Sequence, residues 1–281
     1  MSAYRLDGRE VADALLDEVM EAIRSLDLPP KLVFVRVGDD PASISYVRSK
    51  ERLARRAGIF SEVVVLPADA DQQELLSLIA RLNENDRVDG VLVQLPLPDR
   101  LDETAILNAI DPEKDVDGFH PVNVGRLWSG QVGLFPCTPT GLITILDHFG
   151  IEIESKHVVI VGRSNLVGKP AAALFLRRHA TVSIAHSRTK DLPALVRQAD
   201  ILVSAVGKAG LITPDMIKQG AVVLDVGFSR DDGKIKGDVR PDVAEVASYL
   251  TPMPGGTGLV TVAMVIKNTV TAALLRRGGN D

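Results

Sequence analysis

The feature that most constrains this chain is the stretch from Val158 to Thr189, VVIVGRSNLVGKPAAALFLRRHATVSIAHSRT. Its four opening apolar residues, ending at Val161, are too few and too β-branched for a helix. A tight Gly162-Arg163-Ser164 turn follows, then Gly168 and a helical run over 171–178. A second apolar run, 181–185, ends at His186-Ser187-Arg188. Strand, glycine turn, helix and strand make the first half of a dinucleotide-binding unit. Phosphates are expected at the helix N-terminus, where free N–H groups and the helix dipole favour anions.

The spelling of the turn narrows the dinucleotide. The usual pattern is G-x-G-x-x-G; here Gly162 is present, Ser164 replaces the second glycine and the last is displaced to Gly168. A P-loop is excluded by the spacing from Gly162 to Gly168-Lys169, and by Pro170 where Ser or Thr would hold magnesium. A glycine turn after a strand can be no more than a turn, so the end of the second strand matters. An NAD site wants a carboxylate there for the ribose hydroxyls, whereas a 2′-phosphate wants cationic and hydroxyl donors. Ser187 and Arg188 stand at that position, with Arg163 in the first turn and no carboxylate. The pattern reads as NADP.

At 281 residues the chain has room for one or two domains with a buried core. A net charge of −5 gives no general attraction to nucleic acid. The single Cys137 rules out an intrachain disulfide, and His120, His148, His157, His179 and His186 lack ligand spacing, so no metal site is expected. The opening MSAYRLDGRE has no signal-peptide apolar region, and no uninterrupted apolar run reaches membrane-spanning length. The expectation is a cytoplasmic protein with no membrane partner.

Around the central stretch, strands and helices alternate. Val11, Leu15, Val19, Ile23 and Leu26 recur at helical spacing before Pro29-Pro30. A strand is expected over 32–37, then a helix capped by Ser43 or Ser45 and closed by Gly58. A strand over 62–66 precedes a helix opened by the capping pair Asp71 and Glu74. The strand over 88–94 is stopped by Leu95-Pro96-Leu97-Pro98, and a short helix over 104–110 follows. A long irregular region, 111–139, separates it from a helix capped by Thr140. Beyond the central stretch come strands over 201–206 and 222–226, a Thr213-Pro214 helix start and a polar excursion over 229–238. A glycine-rich run, 251–258, leads to a largely apolar helix over 261–276. This alternation implies an α/β fold of parallel sheets, with ligand faces at the strand carboxyl ends. Two α/β domains are expected: 1–139 plus 262–281, and a Rossmann-type NADP-binding domain over 140–261.

Several residues on those ligand faces could carry chemistry. Tyr46 and Lys50, four apart on one helix, share a face; a helix lysine is ordinarily solvated, and a tyrosine ordinarily packs in the core. Gln94 ends a strand on the same side, where it could equally bind local backbone. Asp117 could be an Asx-turn before Gly118. The run Pro254-Gly255-Gly256-Thr257-Gly258 could be a helix entry, or a place for the backbone to approach a flat ligand. No G-x-S-x-G elbow is present, so a serine hydrolase has no anchor.

Taken together, VGDDPASISYVRSK, VQLPLP, EKDVDGFHPVNVGRL, PCTPTG, VVIVGRSNLVGKP, KGDV and TPMPGGTGLVTVAM resemble the bifunctional methylenetetrahydrofolate dehydrogenase/cyclohydrolase family over nearly the whole chain. The resemblance implies two α/β domains with a folate cleft between them, bound NADP and tetrahydrofolate derivatives, and a homodimer. It implies Lys50 as the catalytic lysine, Tyr46 beside it on the pterin site, Gln94 as the residue that positions the lysine, and Asp117 as the pterin anchor. Val93, Leu95 and Pro254–Gly258 would line the substrate site. Gly162, Arg163, Ser164, Ser187 and Arg188 would hold NADP, with Phe228 in the nicotinamide-side loop. The family's Gly-Gly-Val-Gly-Pro-Met-Thr is here Gly-Gly-Thr-Gly-Leu-Val-Thr, and its Pro-Cys-Thr-Pro-Lys-Gly is Pro-Cys-Thr-Pro-Thr-Gly.

Overall fold

The computed structural model describes residues 2–231 and 234–278. In chain order the first half comprises β1 (Tyr4–Arg5), α1 (Gly8–Ile23), β2 (Lys31–Val37), α2 (Pro41–Arg56), β3 (Phe60–Leu66), α3 (Gln72–Glu84) and β4 (Gly90–Val93). Three helices follow, α4 (Glu103–Ala109), α5 (Pro121–Trp128) and α6 (Cys137–His148). The next elements are β5 (His157–Val161), α7 (Gly168–Arg177), β6 (Thr181–Ala185), α8 (Leu192–Val196), β7 (Ile201–Ser204) and β8 (Val222–Asp225). A short hairpin of β9 (Ser229–Asp231) and β10 (Lys234–Lys236) precedes β11 (Tyr249–Leu250) and α9 (Thr257–Arg277).

The chain divides into two compact units, one of Met1–Asp13 with Thr138–Thr261, the other of Ala14–Cys137 with Val262–Asp281. The start of the chain thus lies with the dinucleotide-type unit, unlike the division read from the sequence. The cause is local. β1 pairs in parallel with β11 and extends that unit's sheet to the order β1-β11-β8-β7-β5-β6. A two-residue strand has too little alternation to be read from a sequence.

The other unit is built on a three-stranded parallel sheet, β3-β2-β4. Val33, Val35, Val91 and Val93 face one side of it and pack against Leu75, Leu78 and Ile79 of α3 and Ile106 of α4. Both faces are covered, which explains why β2 reads as a nearly continuous apolar run. In each sheet the chain leaves a strand in one direction and later returns to its other side, between β2 and β4 and between β5 and β7. Ligands of open α/β sheets bind at such reversals, beyond the strand carboxyl ends.

Some boundaries differ from the sequence reading for identifiable reasons. α2 is capped by Asp40, whose carboxylate accepts the Ser43 N–H at 2.7 Å, with Pro41 in the first turn; Ser43 itself is buried. α5 occupies part of the region expected to be irregular, opened by His120, whose Nδ1 accepts the Val122 N–H. α6 begins at Cys137, so Thr140 lies within it rather than capping it. Thr213-Pro214 opens only a single tight turn, Pro214–Met216. α9 starts at Thr257, which places Thr257 and Gly258 in its first turn. By length and composition α9 could cross a bilayer, but 56% of its most apolar window is buried inside the protein. Its buried Asn268 donates to the Val116 and Phe135 carbonyls at 2.8 and 2.9 Å.

Candidate active site

In the three-stranded unit the candidate residues gather at the carboxyl end of β4. The Gln94 N–H continues the ladder by donating to Val35 O at 2.8 Å. The side-chain amide of Gln94 is oriented by its own neighbour: Nε2 donates to the Leu95 carbonyl, which leaves Oε1 facing the other way. That oxygen accepts from Lys50 Nζ at 3.3 Å. Lys50 is half-buried on α2 rather than fully solvated, and Tyr46 presents its ring one turn earlier at 41% exposure, not in the core.

Asp117 arrives by a second route. The Val91 N–H donates to Lys114 O at 2.8 Å, and Val91 bridges Asp115 in parallel, so the 114–118 segment runs beside β4. Lys114 is buried and donates to the Leu82, Asn83 and Asn85 carbonyls, so it ends α3; burial, with Arg276 nearby, lowers its pKa. Asp115 is buried and accepts the Gly118 and His120 N–H groups at 3.1 and 2.7 Å and the Asn123 amide at 3.2 Å. Burial pushes its pKa up to about 6 despite these donors. The next turn needs glycine: Gly118 has φ +76°, and a side chain there would overlap Phe135 and Pro136. Burial also raises the pKa of Asp117, against the opposing pull of the Lys50 ammonium. The amine, the amide and this carboxyl group therefore belong to one electrostatic neighbourhood. Cys137 shares it: burial raises the thiol's pKa well above the usual value, and Asp117 adds to the effect.

Not every expected lining residue is available to a ligand. Val93, 1% exposed, belongs to the core under β4, and Leu95 packs against the same cluster. The strand alternation that turns Gln94 to one face turns Val93 to the other. In the glycine-rich run, Pro254 and Gly258 are exposed and Gly255 is partly so. Gly256 is buried, and a Cβ there would lie 2.5 Å from Pro252 O. Thr257 is also buried, its hydroxyl donating to Asp225 O at 2.9 Å. The threonine that departs from the family pattern thus has a local polar partner.

The dinucleotide-type unit presents a different kind of site. Gly162 has φ +130°, and a Cβ on it would lie 2.5 Å from Ala205 O at the end of β7. A side chain on Gly168 would overlap the Gly162 carbonyl, so α7 starts hard against the turn. These two glycines have the steric roles that a dinucleotide fingerprint requires. The N–H groups expected to meet phosphate are, however, already taken. Ser164 Oγ accepts from Val167 and Gly168 at 3.1 and 3.3 Å, Ser164 O accepts from Lys169 at 3.1 Å, and Pro170 has no N–H. What the first turn of α7 offers an anion is its dipole; direct donors must come from the Gly162–Ser164 turn and its surroundings.

The end of β6 lies alongside, since the Gly162 N–H donates to Ala185 O at 2.9 Å. There a compact turn closes when the His186 N–H donates to Thr189 Oγ1 and the Arg188 N–H to His186 Nδ1. Ser187 and Arg188 are left exposed at its tip, and Arg163 is exposed in the neighbouring turn. Cations and a hydroxyl with no carboxylate in the turn suit a 2′-phosphate. Phe228, 44% exposed, follows β8 at the same end of the sheet. Sequence reasoning had no signal for Asp115 or Asn268 as organisers of the Asp117 loop. Their partners are up to 152 residues away in the chain.

A Rossmann-type sheet with this turn, in a chain that also holds a half-buried lysine against a fixed amide, defines a dinucleotide-binding α/β enzyme. Residues 6–117 match the family described as tetrahydrofolate dehydrogenase/cyclohydrolase, catalytic domain, and residues 136–277 its NAD(P)-binding domain. The chain is 54% identical over 279 residues to the bifunctional protein FolD of Thermus thermophilus, covering 99% of each. It is 48% identical over 284 residues to that of Staphylococcus aureus, again covering 99% of each. Its fold matches the crystal structure of the bifunctional enzyme FolD, methylenetetrahydrofolate dehydrogenase/cyclohydrolase, from Campylobacter jejuni. The TM-score is 0.95 at 44% identity, covering 98% of this chain and 100% of the other. The Trypanosoma brucei methylenetetrahydrofolate dehydrogenase-cyclohydrolase, solved with NADP cofactor and inhibitor, gives a TM-score of 0.92 at 39% identity, covering 100% of both chains. The chain belongs to the tetrahydrofolate dehydrogenase/cyclohydrolase family; it is a bifunctional dehydrogenase/cyclohydrolase.

Proposed function

We propose that this chain oxidises 5,10-methylenetetrahydrofolate to the methenyl cation with NADP and hydrolyses that cation to 10-formyltetrahydrofolate, with Lys50 as the base of the second step. The observation that carries the proposal is the 3.3 Å contact between Lys50 Nζ and Gln94 Oε1, with the Asp117 carboxyl group in the same electrostatic field. Bound NADP supplies the nicotinamide ring that takes the hydride. In that first step no O–H or N–H bond breaks, so the protein's task is to hold the reactants in line.

Hydrolysis asks more of the side chains. Water attacks the methenyl carbon, a C–O bond forms, and the water must lose a proton. The Lys50 amine accepts that proton and returns it to the ring nitrogen as the C–N bond breaks, while the carbinol O–H gives its own proton to solvent as the carbonyl forms, so the step releases one proton overall. Gln94 sets the direction of the amine, because the Leu95 carbonyl keeps its amide from turning. Asp117 accepts from the N–H groups of the pterin, and Tyr46 offers its ring as a wall. Ser187 and Arg188, with Arg163, select NADP through the 2′-phosphate.

The same proposal includes a cytoplasmic homodimer that acts on folates without a nucleic-acid or membrane partner. The net charge of −5 supports the nucleic-acid part, and the family resemblance supports the dimer; sedimentation of the purified protein tests it. For the chemistry, the test is Lys50→Met with methenyl absorbance followed over time. General-base catalysis is worth about 10²–10⁴-fold, so methenyl hydrolysis should fall by at least about a hundredfold while NADP still binds. Hydrolysis at near wild-type rate would remove Lys50 from the mechanism.

A further inference from the structure

Two carboxylates in the dinucleotide unit have no place in the chemistry above. Asp225, at the end of β8, and Asp238, just past β10, are 2% and 0% exposed. Asp238 accepts from the Ser204 hydroxyl at 3.0 Å and from the Val206 and Lys208 N–H groups at 2.8 and 2.7 Å. Asp225 accepts from the N–H groups of Gly227, Asp238 and Val239 at 2.9, 3.1 and 3.1 Å. Two glycines leave room for these groups. A side chain on Gly227 would overlap the Asp238 carboxyl group, and one on Gly237 would overlap that of Asp225.

What these bonds hold is informative. β7 and β8 already pair from Ile201↔Val222 through Ser204↔Asp225 without them. The carboxylates act instead on the segments just past the strands, at the end of the sheet where ligands bind. The segment fixed by Asp238 is the one against which the dinucleotide turn packs, since a Cβ on Gly162 would lie 2.5 Å from Ala205 O. Gly207, in the same segment, approaches the Phe228 carbonyl, which a Cβ there would meet at 3.4 Å. Asp225 secures the other side, its main-chain N–H donating to Thr251 Oγ1 at 2.7 Å.

We propose that Asp238, backed by Asp225, is a positioning residue for NADP, holding the loops after β7 and β8 in the shape that the Gly162 turn and Phe228 need. It rests on the NADP reading above. Three donors converge on Asp238, two on Oδ2 and one on Oδ1, so both carboxyl oxygens serve as acceptors. An amide would turn N–H toward N–H and leave a donor unpaired.

The test uses full-length Asp238→Asn and Ser204→Ala. Four quantities are read: NADP affinity by titration calorimetry, KM for NADP, methenyl hydrolysis, and melting temperature. An unpaired donor should weaken NADP binding about tenfold or more in Asp238→Asn, and loss of the hydroxyl's bond about threefold in Ser204→Ala. Methenyl hydrolysis should stay within about twofold of wild type, since it draws on the other unit. Unchanged NADP affinity in both variants overturns the proposal. So does a parallel fall of NADP affinity, hydrolysis and melting temperature, which would mark a residue that only holds the fold together. If Asp238→Asn does not fold, Ser204→Ala decides alone: weaker NADP binding with intact hydrolysis supports the proposal, and unchanged binding overturns it. A wild-type protein that binds NADP but hydrolyses no methenyl substrate would defeat the cyclohydrolase mechanism; calorimetry would still test Asp238.

Discussion

The carboxyl ends of the two parallel sheets are built from different materials. At the end of β4 the candidate chemistry belongs to side chains: an amine, an amide and a carboxyl group, each held by a hydrogen bond or by burial. At the end of β5 it belongs to backbone shape, where two glycines let the main chain pack closer than any side chain would allow. The contrast fits the tasks proposed for the two ends. A proton transfer needs one group of the right basicity at one point, whereas a dinucleotide needs an extended surface that nothing protrudes into. Substitutions should therefore separate the two activities according to the sheet they touch.

The largest separation is expected from filling the glycine turn. Gly162→Ala adds a Cβ against Ala205 O and must adopt φ +130°. Strain of this kind costs about 1–3 kcal/mol before any clash is relieved. NADP binding should weaken by about a hundredfold, while methenyl hydrolysis persists. Calorimetry and the hydrolysis assay read this directly, and equal losses in both would erase the distinction between the sheets.

A smaller effect is expected at the tip of the β6 turn. Arg188→Ser keeps a hydroxyl there but removes the cation, so KM for NADP should rise about tenfold, as for a lost charge-assisted bond. KM for NAD, which has no 2′-phosphate, should barely move. A shift of equal size for both dinucleotides would show that Arg188 does not read the phosphate.

A third effect is on stability rather than activity and belongs to the side-chain site. Asp115, its pKa pushed up to about 6 by burial, stays protonated in the folded chain at pH values where the unfolded chain has already ionised. Its stabilising contribution is full below the unfolded pKa of about 3.9 and is lost as pH rises through the folded value. Asp115→Asn removes this slope. The drop in stability from about pH 4 to about pH 7.5 should shrink by up to about 3 kcal/mol relative to wild type. Asp225, raised to about 6 for the same reason, leaves its own slope in the variant. Denaturant melts at the two pH values measure the difference, and identical slopes would mean that Asp115 is ionised throughout.

Much of this could be read from the chain alone, because the signals are local. The Asp71–Glu74 capping box opens α3 as expected, each side chain accepting the other residue's N–H at 2.8 Å. The apolar runs that became β2, β5 and β6 are placed within a residue or two. The pairing of Tyr46 with Lys50 follows from helical spacing. The misses are equally physical. Asp40 took the cap from two serines, and Pro41 just after it, at the first helical position, is the signal that ranks it ahead of them. β1 exists only because β11 offers it an edge. Val93 and Thr257 sit in the right motifs but turn inward, and in a strand one residue decides which face that is.

The sequence by itself determined the α/β class, the dinucleotide turn, its lack of a carboxylate partner, and the motif set that marks the family. Each of these is written in spacings of a few residues, where periodicity and turn chemistry act. Only the tertiary structure decided that the first N–H groups of α7 are taken by Ser164, and that Asp115 and Asn268 build the loop carrying Asp117. It alone showed that Asp225 and Asp238 shape the segments after β7 and β8. These depend on which groups meet after the sheets have closed, and a buried donor or acceptor takes whatever partner the packing brings, however distant in the chain.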